Sequence, residues 1–446
     1  MPVSPVDVVL IYPQRAPRKG RHWIMPSLGL AYLTSALQKA GYSCRHIDHT
    51  FLERREVLDL VAALRPRVIG VYCMVTMQDE AFSLAADLRG KADLLICGGP
   101  YPSGEQEPFL DVFDLVCVGE GEETIVEVMR HLDDRRFEEV LGLAFKRPDG
   151  EVVKTEARPR SKDMSVLAPP YRADLPNAEY IAYWRRHWGE ATTPLMASRG
   201  CPFRCDFCHK PVFGDLFRAR SSESVIAEMR EIAALGYDHV WMSDDLFTLN
   251  YHRTMALCAD IEAAGIPLTW ECLSRVTHVD YELFAQMKRA GCKRIFFGIE
   301  SGDERVLKEM RKGITPDQSR AAVDACVKAG IKAAGFFMVG YVGETPDSLL
   351  RTINFSSRLP LDYVSYTIAY PLPGTRFYER VKERRQAGEW HYIRHNRLLF
   401  NSDFSERKLR FAIYKGAIQH KLRKHRLGPL AGAFEAATDP LLAAMQ

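Results

Sequence analysis

Eleven short apolar runs alternating with helical patterns constrain this 446-residue chain more than any other feature. In the first third they are DVVLIYP (Asp7–Pro13), RVIGVYC (Arg67–Cys73), DLLICGGP (Asp93–Pro100) and DLVCVGEG (Asp114–Gly121), with a weaker YSCRHID over Tyr42–Asp48. Runs apolar on both faces belong in a parallel sheet covered by helices on either side. The segments between them, such as LGLAYLTSALQKAG and DEAFSLAADLRG, have helical spacing and stop at glycine. Residues 1–138 are therefore expected to form a doubly wound α/β domain of flavodoxin or Rossmann type. Such a domain takes its ligand beyond the C-terminal ends of the strands.

Residues 139–190 read as a hairpin turning at Pro148-Asp149-Gly150, followed by a proline- and aromatic-rich surface linker over Arg158–Glu190. From Pro194 the alternation resumes with PLMAS, HVWMS, LTWECL, RIFFGIE, AAGFFMVG and YVSYTIA. Six β-α repeats in one stretch suit a partial (β/α)6 barrel of TIM-like type over residues 191–376, with its active face at the strand C-termini. Residues 377–446 read as a helical extension. Within it, Ser405–Gly428 carries eight Lys/Arg and one Glu among regularly spaced apolar residues. The plain expectation is a helix packed by one face with its charges solvated.

Net charge is +3, which gives no global reason to expect a nucleic-acid partner. No apolar run reaches the length of a transmembrane segment. The start, MPVSPVDVVLIYP, has no basic leader and reads as a strand rather than a signal peptide. The cysteines number eleven, and Cys73, Cys97 and Cys117 lie inside strand-like runs, so a reducing cytoplasm is the expected setting.

The chemistry concentrates in SRGCPFRCDFCHK (Ser198–Lys210). Cys201, Cys205 and Cys208 fall within eight residues on a loop that leaves a barrel strand at the active face. A structural zinc site usually closes with four Cys/His ligands. His209 could join the set, although neighbouring residues seldom converge on one tetrahedral ion. Thiolates also favour iron–sulfur clusters, and a [4Fe–4S] cube held by three of them leaves one iron open.

Cys201-x3-Cys205-x2-Cys208, with the aromatic Phe207 before the last cysteine, resembles the cluster loop of radical S-adenosylmethionine (SAM) enzymes. The resemblance covers about residues 190–376. It implies a [4Fe–4S] cluster whose open iron chelates SAM and whose electron cleaves it to a 5′-deoxyadenosyl radical. It also implies SAM-binding groups at successive strand ends. Asp244 and Asp245 are candidates for the ammonium, one of them equally suited to capping the next helix. Arg275 is a candidate for the carboxylate, with Glu271 and Ser274 for the ribose. Glu300 and Ser301 follow the fourth strand, and Gly340 opens the fifth strand end to adenine. PLPGT (Pro371–Thr375) recurs in a cobalamin-associated branch and reads equally as a proline-set turn.

Beside such a barrel, the N-terminal domain resembles the cobalamin-binding domain of class B members. The matching pieces supply Pro13, Thr76, Gly98, Gly99, Pro100, Gly119, Glu120 and Gly121 as candidate cobalamin contacts. There is no Asp-x-His-x-x-Gly; His46 and His49 flank Asp48 at other spacing, so any cobalt is expected to lack a histidine lower ligand. The activity implied is cobalamin-dependent methylation of an unactivated carbon, or phosphorus, in a small-molecule substrate, with flavodoxin or ferredoxin as reductant. Oxidative cyclisation, rearrangement, methylthiolation, a cobalamin-free enzyme and a non-catalytic metal scaffold remain open at this point.

Overall fold

The computed structural model describes residues 4–15, 20–384 and 397–445. The chain divides into two compact units. One is Met1–Leu195 with Arg199–Cys201 and Lys210–His239; the other is Met196–Ser198 with Pro202–His209 and Val240–Gln446.

The first unit is built on β1 (Val8–Tyr12), β2 (Cys44–Asp48), β3 (Val68–Tyr72), β4 (Leu94–Gly98), β5 (Leu115–Cys117), β6 (Leu143–Lys146) and β7 (Val152–Lys154). Their order in the sheet is β2-β1-β3-β4-β5-β6-β7. The first five are parallel in flavodoxin order. Alternation along β1 explains its burial on both faces: Val9 and Ile11 feed one core cluster, while Val8, Leu10 and Tyr12 feed the other. The helix Leu28–Lys39 starts where the Ser27 side chain accepts from the Leu30 amide at 3.3 Å.

The expected hairpin exists, and it does more than connect. β6 pairs antiparallel with β5, so β6 and β7 extend the first sheet by two strands. The expected surface linker is corrected. Asn177–Trp188 is a helix that buries Tyr180 and Trp184. Tyr180 Oη donates to Asp48 at 2.9 Å, and Trp184 Nε1 donates to the Ile24 carbonyl at 2.8 Å. Nearby Arg172, fully buried, is paired at 2.5 Å with Glu228, which also holds Arg220. The aromatic residues that made the stretch look irregular are its anchors.

The remaining strands are β8 (Thr192–Leu195), β9 (Ser198–Arg199), β10 (Arg218–Ala219), β11 (His239–Met242), β12 (Thr269–Ser274), β13 (Cys292–Glu300), β14 (Lys332–Val339) and β15 (Tyr363–Ile368). β9 and β10 form a two-stranded ladder; the other six form a sheet in the order β15-β14-β13-β12-β11-β8. That is chain order throughout, as a (β/α) array requires, and β12 to β15 pair in parallel. The PLMAS strand is offset, because β8 ends at Leu195 and Ser198 belongs to the β9 ladder.

In the C-terminal region the helices Arg376–Val381, Glu406–Lys424 and Gly428–Ala444 match the helical expectation. Residues 385–396 and Gln446 of that region lie outside the described residues. The expectation of fully solvated charges is corrected. Lys408 and Lys415 are buried, and Lys415 Nζ reaches Asn354 at 2.9 Å and Asp439 at 2.7 Å. Among the described residues no helix is long and apolar enough to cross a membrane. Among the described residues no disulfide is formed.

Candidate active site

The three-cysteine loop is shaped by its own backbone. Gly200 has φ +84°, and a Cβ there would lie 2.1 Å from the Leu216 carbonyl oxygen, so only glycine allows the two limbs of the loop to meet. The Cys201 amide donates to Gly214 at 3.1 Å, and Lys210 Nζ donates to the Cys201 carbonyl at 2.5 Å. Farther along, the Cys208 amide donates to the Cys205 carbonyl at 3.1 Å. Cys201 and Cys205 are half-buried and Cys208 is exposed.

In the second unit, one guanidinium meets Cys205. Arg275, directly after β12, donates through Nη1 to the Cys205 sulfur at 3.6 Å and through Nη2 to the Lys312 carbonyl. Its guanidinium lies 3.8 Å from the Phe203 ring centroid. Lys312 Nζ lies 5.6 Å from the Phe207 ring centroid and donates to Glu300 at 2.8 Å. Glu300 ends β13 at φ +66°, a left-handed backbone that costs a non-glycine residue about 1 kcal/mol or more. Gly298 makes the space: a Cβ there would lie 2.7 Å from Lys312 Nζ and 2.8 Å from Glu300 Oε1. Phe207, Arg275 and Glu300 are thus gathered with Cys205 at the strand ends.

Asp206 anchors this part of the loop. Its amide donates to the Met310 carbonyl at 3.0 Å, its carbonyl accepts from the Phe377 amide at 3.0 Å, and its carboxylate faces Arg311 and Arg380. PLPGT is the turn before that helix, with Thr375 as its cap. The helix that it starts meets the cluster loop through the Phe377 amide.

Other expected SAM contacts carry structural bonds. Asp244 is fully buried; it accepts from the Ala197 amide at 2.8 Å and from the Ser198 hydroxyl. Burial pushes its carboxyl up to about 6, against the lowering effect of those hydrogen bonds. It holds the chain entering the cluster loop instead of presenting an open acceptor; the neighbouring Asp245 is exposed. Ser274 is bonded to Thr248 at 2.6 Å and to the Arg275 carbonyl at 2.8 Å. Ser301 is buried on Thr352 and accepts from the Asp303 amide, a local turn motif. Glu271 is buried in β12, 3.4 Å from Arg294. Gly340 has φ +76°, with its amide held by Glu344 at 2.6 Å and Leu409 where a Cβ would go.

At the C-terminal edge of the first sheet, Gly99 has φ +120°, and a Cβ would meet the Cys73 carbonyl at 2.5 Å. Gly98 and Gly121 are also closely packed, whereas Gly119 faces open space and Thr76 is exposed. Pro13 is buried, and Pro100 opens the short helix Pro100–Gly104. Glu120 is the exception among these candidates: it is bound to Arg199 at 3.2 Å and to Arg218. His46 is buried on β2, where burial lowers it to about 4; His49 is buried 3.6 Å from Glu80. Sequence reasoning missed Phe203, Lys312, Arg199 and Arg218. Only Arg199 carried a signal, a charge set directly before the glycine of the cysteine loop.

The donor set fits an iron–sulfur cube better than a single ion. Three thiolates are one ligand short of the four that close a structural zinc site. A cube instead binds each thiolate at a different iron. The buried Arg275 Nε has no hydrogen-bond partner, leaving a cation beside Cys205 with donor capacity for a carboxylate. The open side of Gly119 is compatible with the flat edge of a corrin.

Two family profiles match, the Radical SAM superfamily over residues 195–356 and the B12 binding domain over residues 22–129. The chain belongs to the radical SAM superfamily, in the branch that carries an N-terminal B12-binding domain. Its cofactors are accordingly a [4Fe–4S] cluster, SAM and cobalamin. Among relatives, an uncharacterized methyltransferase of Pyrococcus horikoshii, PH0819, is 32% identical over 79% of this chain and 78% of its own length. The anaerobic magnesium-protoporphyrin IX monomethyl ester cyclase of Cereibacter sphaeroides is 27% identical over 80% of this chain and 61% of its own. The methyltransferase TsrM of Kitasatospora setae shares the fold, with TM-score 0.74 at 20% identity over 85% of this chain and 75% of that one.

Proposed function

We propose that this enzyme transfers a methyl group to an unactivated carbon, or to phosphorus, of a small molecule, using two molecules of SAM per turnover. The observation that carries the reading is the thiol met by a cation at the barrel strand ends: Cys205 against Arg275, whose guanidinium lies on Phe203 and reaches the carbonyl of Lys312, itself paired with Glu300. When bound, the cluster supplies an electron for SAM cleavage and cobalamin supplies a methyl carrier. The chain's own residues bind, orient and exclude water. Arg275 and Lys312 offer positive charge to the SAM carboxylate and to the cysteine sulfurs, while Phe203 and Phe207 wall that charge from solvent. Asp244 and Asp206 hold the loop on which the thiols stand. A low-potential protein such as flavodoxin or ferredoxin is the proposed reductant, and the cytoplasm the proposed setting.

A second reading, oxidative ring formation, is favoured by the cyclase relative. Mass spectrometry of products formed with deuterated-methyl SAM separates the two. Methyl transfer predicts a labelled methyl in the product, and cyclisation predicts 5′-deoxyadenosine with none. Replacing Cys201, Cys205 and Cys208 together with alanine should abolish 5′-deoxyadenosine; its persistence would refute the cluster assignment.

A further inference from the structure

The three-cysteine loop leaves from β9 and returns at β10, and each strand carries a buried arginine. Arg199, two residues before Cys201, is 2% exposed. It donates to Glu120 at 3.2 Å and to Glu122 at 2.6 Å. Its guanidinium lies 4.9 Å from the Tyr32 ring and 4.8 Å from the Phe213 ring. Arg218, 4% exposed, forks onto both oxygens of Glu120 and donates to the Ser161 carbonyl at 3.3 Å. Glu120 stands in the turn after β5 and Glu122 opens the helix Glu122–Arg130, both within the part matched as a B12-binding domain.

Buried charges persist only when paired and hydrogen-bonded. Here one carboxylate bridges two guanidiniums that belong to the two limbs of one loop, and a second carboxylate completes the set. The planar fork of arginine, which lysine cannot reproduce, fixes the direction of each limb. Gly200 then brings the limbs into backbone contact.

We infer that Glu120 and Glu122 are positioning residues for the iron–sulfur loop: they clamp its neck through Arg218 and Arg199, and so tie the setting of Cys201 to the β5 turn of the B12-type domain. This replaces the expectation that Glu120 contacts the corrin, and it rests on the radical SAM reading for what the loop holds. A change in the β5 turn, such as corrin entering beside Gly119, would reach Cys201 through two ion pairs.

The test compares the full-length chain with Glu120→Gln, Glu122→Gln, the double variant, and the conservative Glu120→Asp, each checked for folding by circular dichroism. The first readout needs no cofactor: tryptic cleavage after the exposed Arg204 in the cluster loop. The second is the electron paramagnetic resonance signal of the anaerobically reconstituted, reduced cluster with and without SAM. The third is hydroxocobalamin affinity from corrin absorbance. The clamp predicts about tenfold faster cleavage in the double variant, a broadened cluster signal, 5′-deoxyadenosine formation slowed about tenfold to a hundredfold, corrin affinity within about twofold, and partial recovery in Glu120→Asp. Unchanged cleavage and cluster signal with weakened corrin affinity would overturn it and restore Glu120 as a corrin contact. A wild-type chain that takes up no iron and sulfide would refute the cluster assignment instead, leaving the cleavage comparison to decide the clamp. Should the double variant fail to fold, Arg218→Lys, which keeps the charge and loses the fork, must still accelerate cleavage.

Discussion

Asp244 offers a quantitative test, because its carboxyl is pushed up to about 6 while fully buried, from an ordinary 3.8. The dominant cause is desolvation, which disfavours the ionised form in the folded chain. A folded value above the unfolded one means that stability is greatest at low pH and falls as pH rises through the folded value. At about 1.4 kcal/mol per unit, the full loss is about 3 kcal/mol between the acid limit and neutrality. Asp244→Asn removes this dependence and keeps a carbonyl oxygen for the Ala197 amide. Relative to the variant, the wild type should lose about 1.4 kcal/mol between about pH 5 and pH 7.5. Chemical unfolding of both proteins without cofactors, in matched buffers, isolates the term, since every other carboxylate is common to both. A difference that stays flat across that range would refute the assignment of Asp244 as a costly buried charge.

Two further outcomes follow from the same geometry. Gly99→Ala places a methyl 2.5 Å from the Cys73 carbonyl at φ +120°, so thermal unfolding should report a loss of at least about 2 kcal/mol, with loss of hydroxocobalamin uptake. Arg275→Lys keeps the charge but cannot span the Cys205 sulfur and the Lys312 carbonyl while lying on Phe203. It should lower 5′-deoxyadenosine formation about tenfold or more with secondary structure intact; wild-type rates would remove Arg275 from the site.

Strand positions were legible because each buried strand is written in contiguous residues: the eleven apolar runs correspond to β1–β5, β8 and β11–β15, with β8 offset by a few residues. The helix Asn177–Trp188 was not, since Tyr180 and Trp184 earn their burial from Asp48 and Ile24, more than a hundred residues away. The candidate site shows the same limit. Three cysteines at fixed spacing announce their chemistry locally, and Arg275 and Glu300 stand out as charges ending apolar strands. Whether a charge such as Asp244 or Glu120 faces a ligand or a structural partner depends on pairings that no local pattern encodes. Their partners Ser198 and Arg199 sit beside the cysteines yet bind residues 46 and 79 positions distant.

The pairing of β6 with β5 has a practical bearing on dissection of the molecule. Strand β5 is only three residues long, and Val140, Leu143 and Phe145 fill the hydrophobic interior beside it. A fragment truncated before the hairpin would bare a backbone edge and a greasy flank, inviting precipitation. One extended through Lys154 keeps the ladder intact, and that is where a clone meant to isolate corrin uptake should stop no earlier.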